Sequence, residues 1–350
     1  MTTTREPQPA TASAAEAPDS QTVSTGRLTR ITQHPLFVVT TALIVLFVGF
    51  TVVNGPTFIG VPNIRNMLLA GSIILLLAIG ITYVIVTAGF DLSVGSVLVF
   101  SGVLSVVAMR AVGAEGWPAA LLGLVVALAA GAALGAINGA LVAYADLNAI
   151  IVTLGTLGAA LGLAQVVTGG QDLNDVPPVM ADFGVDRVLG VPLVVVVAAL
   201  VALIAGIVLR STAFGRHTYA IGSNKEAAVR AGIPVKRHLT TVYLISGLLA
   251  GLAGWLSLAV YGTTNIAGHS LDALSGATAA LLGGASLFGG IGTVAGTVIG
   301  NAIPVVLASG LVIAGLQSFW QQAVTGVVLI GAVYLDRIRR LRRTVRRPKR

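Results

Sequence analysis

The residues that could do chemistry are few, and their spacing does not suit catalysis. The chain has no cysteine, which removes disulfides, thiolate metal sites, iron–sulfur clusters and Cys nucleophiles together. Its four histidines, His34, His217, His238 and His269, are scattered over loops and span edges, with no His-Glu-x-x-His motif and no nucleophile elbow. A phosphate-binding loop needs Gly-Lys-Ser/Thr, yet Lys225, Lys236 and Lys349 follow Asn, Val and Pro. By that motif the chain does not hydrolyse ATP, and it offers no site for a cofactor or metal. What remains is one carboxylate caught between apolar runs, Asp91, and a set of neutral polar residues within apolar segments: Asn138, Thr153, Thr156, Gln165, Asn301, Gln317, Gln321 and Gln322. Each would cost free energy if turned towards lipid, so each faces another helix or a water-filled path. Asn138, Thr153, Thr156, Gln165 and Asn301 are the candidate translocation path. A path lined by amides and hydroxyls suits a neutral polyhydroxy solute better than an ion. Asp91 is costly at membrane depth unless it caps a helix or serves function, and it reads as a cap. It can accept from the backbone N–H of Ser93 or Val94 where the next helix begins.

The elements that position these residues are membrane spans. Of 350 residues 55% are apolar and only 34 are charged, 21 basic and 13 acidic, too few for a soluble or a disordered chain. Charge-free stretches cover 31–64, 66–90, 92–109, 116–145, 147–171, 188–209, 238–271 and 273–335. At about 20 residues per span, they predict ten spans near 36–53, 67–87, 92–109, 118–143, 148–168, 191–209, 239–260, 273–288, 293–316 and 318–335. The expected fold is an all-α polytopic bundle with both termini cytoplasmic. With that orientation only Arg65, Arg110 and Arg187 lie outside, a strong positive-inside asymmetry. The basic balance of +8 is therefore an orientation signal and does not point to nucleic acid. Residues 1–30 read as a disordered cytoplasmic tail, 31–336 as the transmembrane domain, with 210–238 as its cytoplasmic loop, and 337–350 as a basic cytoplasmic tail held by anionic lipid headgroups.

Glycines recur at helical spacing: Gly131, Gly135 and Gly139; Gly292, Gly296 and Gly300; Gly158 with Gly162; Gly247 with Gly251. Small residues at this spacing let helices approach closely in lipid. Gly284 to Gly290 shares the form Gly-x-(Asp/Ser)-Leu-x-x-Gly with Gly89 to Gly95, a match that chance explains as well as an internal duplication does.

Residues 210–238 form the longest cytoplasmic segment between spans. Ser223-Asn224-Lys225-Glu226 has the form of a capping box, Ala227 to Ala231 continue a short helix, Gly232 supplies a left-handed stop and Pro234 prevents continuation. A two-turn helix is marginal alone in water. It is either part of a plain basic loop or a docking helix.

Several strings together resemble the ribose-type sugar permeases of bacterial ABC importers: Gly89-Phe-Asp-Leu-Ser-Val-Gly-Ser, Ile151-Val-Thr-Leu-Gly-Thr-Leu-Gly, Thr168-Gly-Gly-Gln, Gly222-Ser-Asn-Lys-Glu-Ala-Ala-Val-Arg-Ala-Gly-Ile and Leu282-Gly-Gly-Ala-Ser-Leu-Phe-Gly-Gly-Ile-Gly-Thr. The likeness runs in order from Phe58 to Asp336. It implies a transport subunit of the bacterial inner membrane and not an enzyme. Two permease copies would pair, and a cytoplasmic ATPase would supply ATP and Mg. An extracytoplasmic binding protein would deliver a pentose or hexose. Gly222, Ser223, Asn224, Lys225, Glu226, Ala227, Ala228, Arg230, Gly232 and Ile233 match the family's ATPase-coupling segment. Related permeases carry other small solutes such as branched-chain amino acids. An ion-coupled secondary transporter is the alternative from another class, and it would need ionisable groups within the spans.

Overall fold

The computed structural model describes residues 35–317 except position 270, together with 320, 323, 324, 326–328, 330, 331 and 334. The two tails expected at 1–30 and 337–350, and much of the span expected at 318–335, lie outside the described residues. The described chain is all-α apart from two strands of two residues each. In chain order the helices are α1 (Pro35–Asn54), α2 (Pro56–Ile59), α3 (Val61–Val86), α4 (Val94–Ala111), α5 (Gly116–Ala143), α6 (Ala149–Thr168) and α7 (Pro178–Val185). An antiparallel pair β1 (Arg187–Val188) and β2 (Val191–Pro192) follows, then α8 (Leu193–Ser211), α9 (Ala213–Ser223), α10 (Lys225–Arg230), α11 (Val235–Tyr261), α12 (Asp272–Leu282) and α13 (Val294–Ile313).

Seven of these, α3, α4, α5, α6, α8, α11 and α13, are long and apolar enough to cross a membrane. The protein is thus a multi-pass membrane bundle. Helices α3 and α11 form its buried centre, while α5, α6 and α8 turn most of their surface outward. The densest contact is between α5 and α11. There Gly131 and Gly135 face Gly247 and Gly251 so closely that a Cβ on Gly135 would lie 3.1 Å from the Gly247 Cα. Gly296 and Gly300 likewise bring α13 against Gly283 and Ala279 of α12 and its exit. The spacing alone overreads Gly158 and Gly162, whose missing Cβ positions have no atom within 4 Å. Gly292 precedes α13, so it does not belong to that helical row.

The connections fall into two groups. At one end of the bundle Lys225 Nζ lies 3.7 Å from Asp146, Lys236 sits over the Tyr144 ring, and the Tyr219 hydroxyl donates to the Gly292 carbonyl. At the other end Arg110 pairs with Asp175, and Asp172 accepts from Thr264 Oγ1 and from the Ile266 N–H. These contacts gather the connections they join at the two ends of the bundle. The segment 169–190, expected to be a loop, is ordered by α7 and the β1–β2 hairpin, with Gly184 pressed against the Ala259 carbonyl.

One expected span is shorter than its apolar run. The stretch 273–288 holds helix only to Leu282. Gly283 to Thr293 then form an irregular connection in which Gly284, Gly289 and Gly290 take positive φ, a backbone region L-residues avoid. The result is a half-helix. It runs parallel to α3, with Gly276 beside Ala78 and the Gly290 N–H donating to the Val86 carbonyl (2.9 Å). The two segments of shared Gly-x-(Asp/Ser)-Leu-x-x-Gly form both begin in irregular connections that follow a helix, and Gly289 of the second meets Ala88, the residue just before the first.

Candidate functional site

The segment 210–238 holds two helices where the sequence pattern shows one. Helix α9 is capped by Thr212, whose Oγ1 accepts from the Gly215 N–H. It is seated by Phe214, whose ring lies 4.4 Å from that of His238, and by Thr218, whose hydroxyl bonds His238 Nε2 at 2.8 Å. Because α9 runs on to Ser223, the capping box expected there is displaced by one residue. Asn224 takes extended angles (φ −162°, ψ 100°) and its Oδ1 accepts from the Ala227 N–H at 2.9 Å. Glu226 instead faces Arg230 across one turn at 3.9 Å, an exposed pair that contributes little.

Helix α10 is held by one side only. Ala228 is buried in a small cluster with Ile221, Val235, Leu239 and Ala143, against which Ile233 packs. Lys225, Glu226, Ala227, Val229 and Arg230 remain exposed. Gly232, at φ 80°, stops the helix with its N–H donating to the Val229 carbonyl. The arrangement displays a short, rigidly terminated helix outward from the bundle.

Behind it, α9 is wedged into the membrane helices. Gly222 lies against the Val86 carbonyl and the Gly290 N–H, and Gly290 in turn lies against Ser223. The Tyr219 hydroxyl donates to the Gly292 carbonyl at 2.6 Å, and burial pushes its phenol above the usual range, so it stays a donor. Helix α9, which leads directly into the displayed α10, the end of α3 and the connection that leaves the half-helix α12 therefore form one contact.

The polar residues of the spans sort into three groups. Asp91, Asn138 and Thr156 belong to a closed buried network. Asp91 Oδ1 accepts from Ser93 N–H (3.0 Å) and Ser93 Oγ (2.6 Å), its Oδ2 from Ser246 Oγ (2.8 Å), and Asn138 donates to Ser93 Oγ while accepting from Thr156. Ser246 is about the twelfth residue of the 27-residue α11. Asp91 therefore sits roughly 17 Å along that helix at 1.5 Å per residue, near its middle, and not at the inner end that its position between apolar runs suggests. Such a satisfied network rigidifies the junction of α4, α5, α6 and α11. Thr153 is buried and donates to the Ala149 carbonyl, whereas Gln165 is exposed on α6. Asn301 donates to the Gly71 carbonyl at 2.8 Å and borders an apolar groove of about 730 Å³ between α1, α3, α8 and α13.

A polar cavity lies elsewhere, and none of the five candidate path residues, Asn138, Thr153, Thr156, Gln165 and Asn301, lines it. It encloses about 500 Å³ between α3, α12 and α13, beside Pro304, and it is edged by Asn63, Asn66, Asp272, Ser275 and Ser309. Sequence reading missed these because it began α3 at 67 and placed Asp272 in a loop. The available signal was the i, i+3 spacing of Asn63 with Asn66 and of Asp272 with Ser275.

A family model described as branched-chain amino acid transport system / permease component matches residues 63–333. The chain is 39% identical over 304 residues to the ribose import permease protein of Escherichia coli (strain K12), covering 84% of this chain and 92% of that one. It is 37% identical over 282 residues to the D-allose transport system permease protein of the same organism, covering 80% and 85%. It is 30% identical over 317 residues to the galactose/methyl galactoside import permease protein of Haemophilus influenzae, covering 85% and 93%. No solved structure matches the chain significantly.

Proposed function

The chain belongs to the family of branched-chain amino acid transport system permease components, and on that premise we propose that it is the membrane-spanning subunit of an ATP-driven importer for a small neutral sugar. The relatives named for ribose, D-allose and galactose support a sugar over a branched-chain amino acid. The single observation that carries the mechanism is α10, a helix too short to persist alone, fixed by Ala228 and otherwise exposed. It is the docking element for a separate ATPase that holds ATP and Mg. Movement at α10 reaches the bundle through Gly222 and Tyr219, which bear on Val86 and on the exit of α12. Two copies of the chain form the pathway, lipid surrounds them, and an extracytoplasmic binding protein delivers the sugar to the end carrying α7 and the hairpin. The basic residues around α9 and α10 support a cytoplasmic position for that other end.

Two experiments check this reading. Asn224→Ala removes the cap of α10, which stabilises a helix by about 1 kcal/mol, and Glu226→Lys puts a cation at a helix N-terminus, costing about 0.3–1 kcal/mol. Together they are expected to lower uptake several-fold and to speed amide exchange over 225–231, with sugar binding by the delivery protein unchanged. Normal uptake and ATP hydrolysis in the double variant would make α10 a mere loop. Orientation is checked by single cysteines, since the chain has none of its own. An impermeant thiol reagent added outside whole cells is expected to label Leu189→Cys at the hairpin tip and not Lys225→Cys. The reverse pattern would invert the topology.

A further inference from the structure

We infer that the cavity between α3, α12 and α13 is a hydroxyl-binding station within the membrane, with Asp272, Ser275 and Asn66 as the groups that hold a polyhydroxylated solute. This inference rests on the sugar reading above and names the place where this chain itself touches the cargo.

The position is deep in the bundle. Gly276 is level with Ala78, and Asp272, one turn earlier on a helix running parallel to α3, is level with Ile74 near the middle of α3. Ile74 lines the same cavity. A carboxylate at this depth is costly unless it is paired or faces water. Asp272 is half paired. Its Oδ2 meets His269 Nδ1 at 2.7 Å, and His269 Nε2 meets Ser257 Oγ at 2.9 Å. The order Ser, His, Asp is that of a nucleophilic triad, but Ser257 is buried at 2% exposure while Asp272 is the member on the cavity. The relay therefore orients the carboxylate and leaves Oδ1 to accept from a solute.

The remaining lining fits the same ligand chemistry. Asn66 is exposed and makes no side-chain hydrogen bond among the described residues, so its amide offers both a donor and an acceptor. Ser275 lies one turn from Asp272 on the same face of α12, and its hydroxyl likewise has no side-chain partner among the described residues. Asn63 is already engaged, donating to the Phe58 carbonyl and accepting from Ser309, which makes those two a fixed rim. Ile74, Val305 and Ile313 form an apolar wall beside them. A sugar has one edge of hydroxyls and a face of C–H groups, and a hydroxyl donating to a carboxylate makes a bond roughly twice as strong as a neutral one. A volume of about 500 Å³ holds a monosaccharide with some water. Because α12 is a half-helix and the connection that follows it rests on α9 at Gly289 to Gly292, movement at the coupling end would shift Asp272 and Ser275 relative to Asn66, releasing the sugar.

The test uses the complete importer, with its ATPase and binding protein, in proteoliposomes, and D-ribose, D-allose and D-galactose as probes. Asn66→Cys is expected to react with a small neutral thiol reagent, and a transported sugar at saturation is expected to slow that reaction several-fold. Adding Asp272→Asn should abolish the protection. Asp272→Asn alone should cut the sugar moved per ATP hydrolysed at least tenfold, and Ser275→Ala, a smaller change that spares the His269 contact, several-fold. An unreactive Asn66→Cys thiol, or sugar transport within twofold of normal in both Asp272→Asn and Ser275→Ala, overturns the station and leaves the sugar reading standing. An importer that moves none of the three sugars overturns the cargo reading and the station with it.

Discussion

Gly222→Val is expected to uncouple transport while leaving the membrane bundle folded. Gly222 is where α9 touches the end of α3, and a Cβ there would overlap the Val86 carbonyl oxygen and lie 2.7 Å from the Gly290 nitrogen. Both obstacles are backbone, so no rotamer change relieves them. Helix α9 must lift away, taking with it the Tyr219 bond to Gly292 and the seat of α10. Overpacking of this kind costs about 1–3 kcal/mol. At about 1.4 kcal/mol per factor of ten, that is roughly a 5- to 150-fold loss of correctly seated α9. Uptake and sugar-stimulated ATP hydrolysis should fall by that order, with the thermal midpoint of the purified chain little changed, because the contact lies at the rim and not in the α5–α11 core. Wild-type uptake in this variant would separate α9 from the coupling role.

Gly247→Leu is expected to have the opposite character, costing the fold itself. Its Cβ would overlap the Gly131 carbonyl and lie 2.8 Å from the Gly135 Cα, at the centre of the α5–α11 contact. Lipid gives no hydrophobic drive to hold the two helices together once their close approach is lost, so van der Waals contact is most of what joins them. The variant should lose about 3 kcal/mol or more, seen as a broad, aggregated profile in detergent and a lowered midpoint. Gly158→Ala provides the contrast. With no atom within 4 Å of its Cβ position, it should be neutral or gain up to about 1 kcal/mol of helix propensity. Equal sensitivity at both glycines would mean that spacing alone, and not the observed contact, sets the effect.

These two glycines show how far the pattern of the sequence reaches. Small residues four apart mark surfaces on which helices can meet, and both Gly247–Gly251 and Gly158–Gly162 satisfy the rule. Which pair is used depends on the partner face, which lies more than a hundred residues away in the chain for Gly247 and Gly131. The short helix α10, proposed to dock the ATPase, was legible for a different reason. Its start and stop are local, a polar cap and a glycine–proline terminus, and the structure moved the cap only from Ser223 to Asn224 because α9 runs one residue further than the pattern shows.

The polar residues were the hardest to read. Asn138 and Thr156 looked like path residues because an amide and a hydroxyl within an apolar run must face something polar, but the something is Ser93 and Asp91, and the group closes on itself. Asn66 and Asp272 were passed over because both sit at the edges of apolar runs, where loops are expected. They border the cavity because α3 already begins at Val61 and α12 begins at Asp272, which carries both residues into helices that line it.

The sequence by itself determined the class of molecule. Long charge-free runs, the one-sided distribution of basic residues and the absence of any catalytic constellation depend only on composition and on order along the chain, and the solvent they imply is lipid. The likeness to sugar permeases was also visible in its strings of residues. Tertiary structure alone decided which helices touch, that α12 is a half-helix whose following connection rests on α9, and that Asp272 faces a cavity while Asp91 is sealed in a network. Those outcomes rest on contacts between residues far apart in the chain, where the free energy of burying or satisfying a polar group is set by a partner that no local pattern identifies.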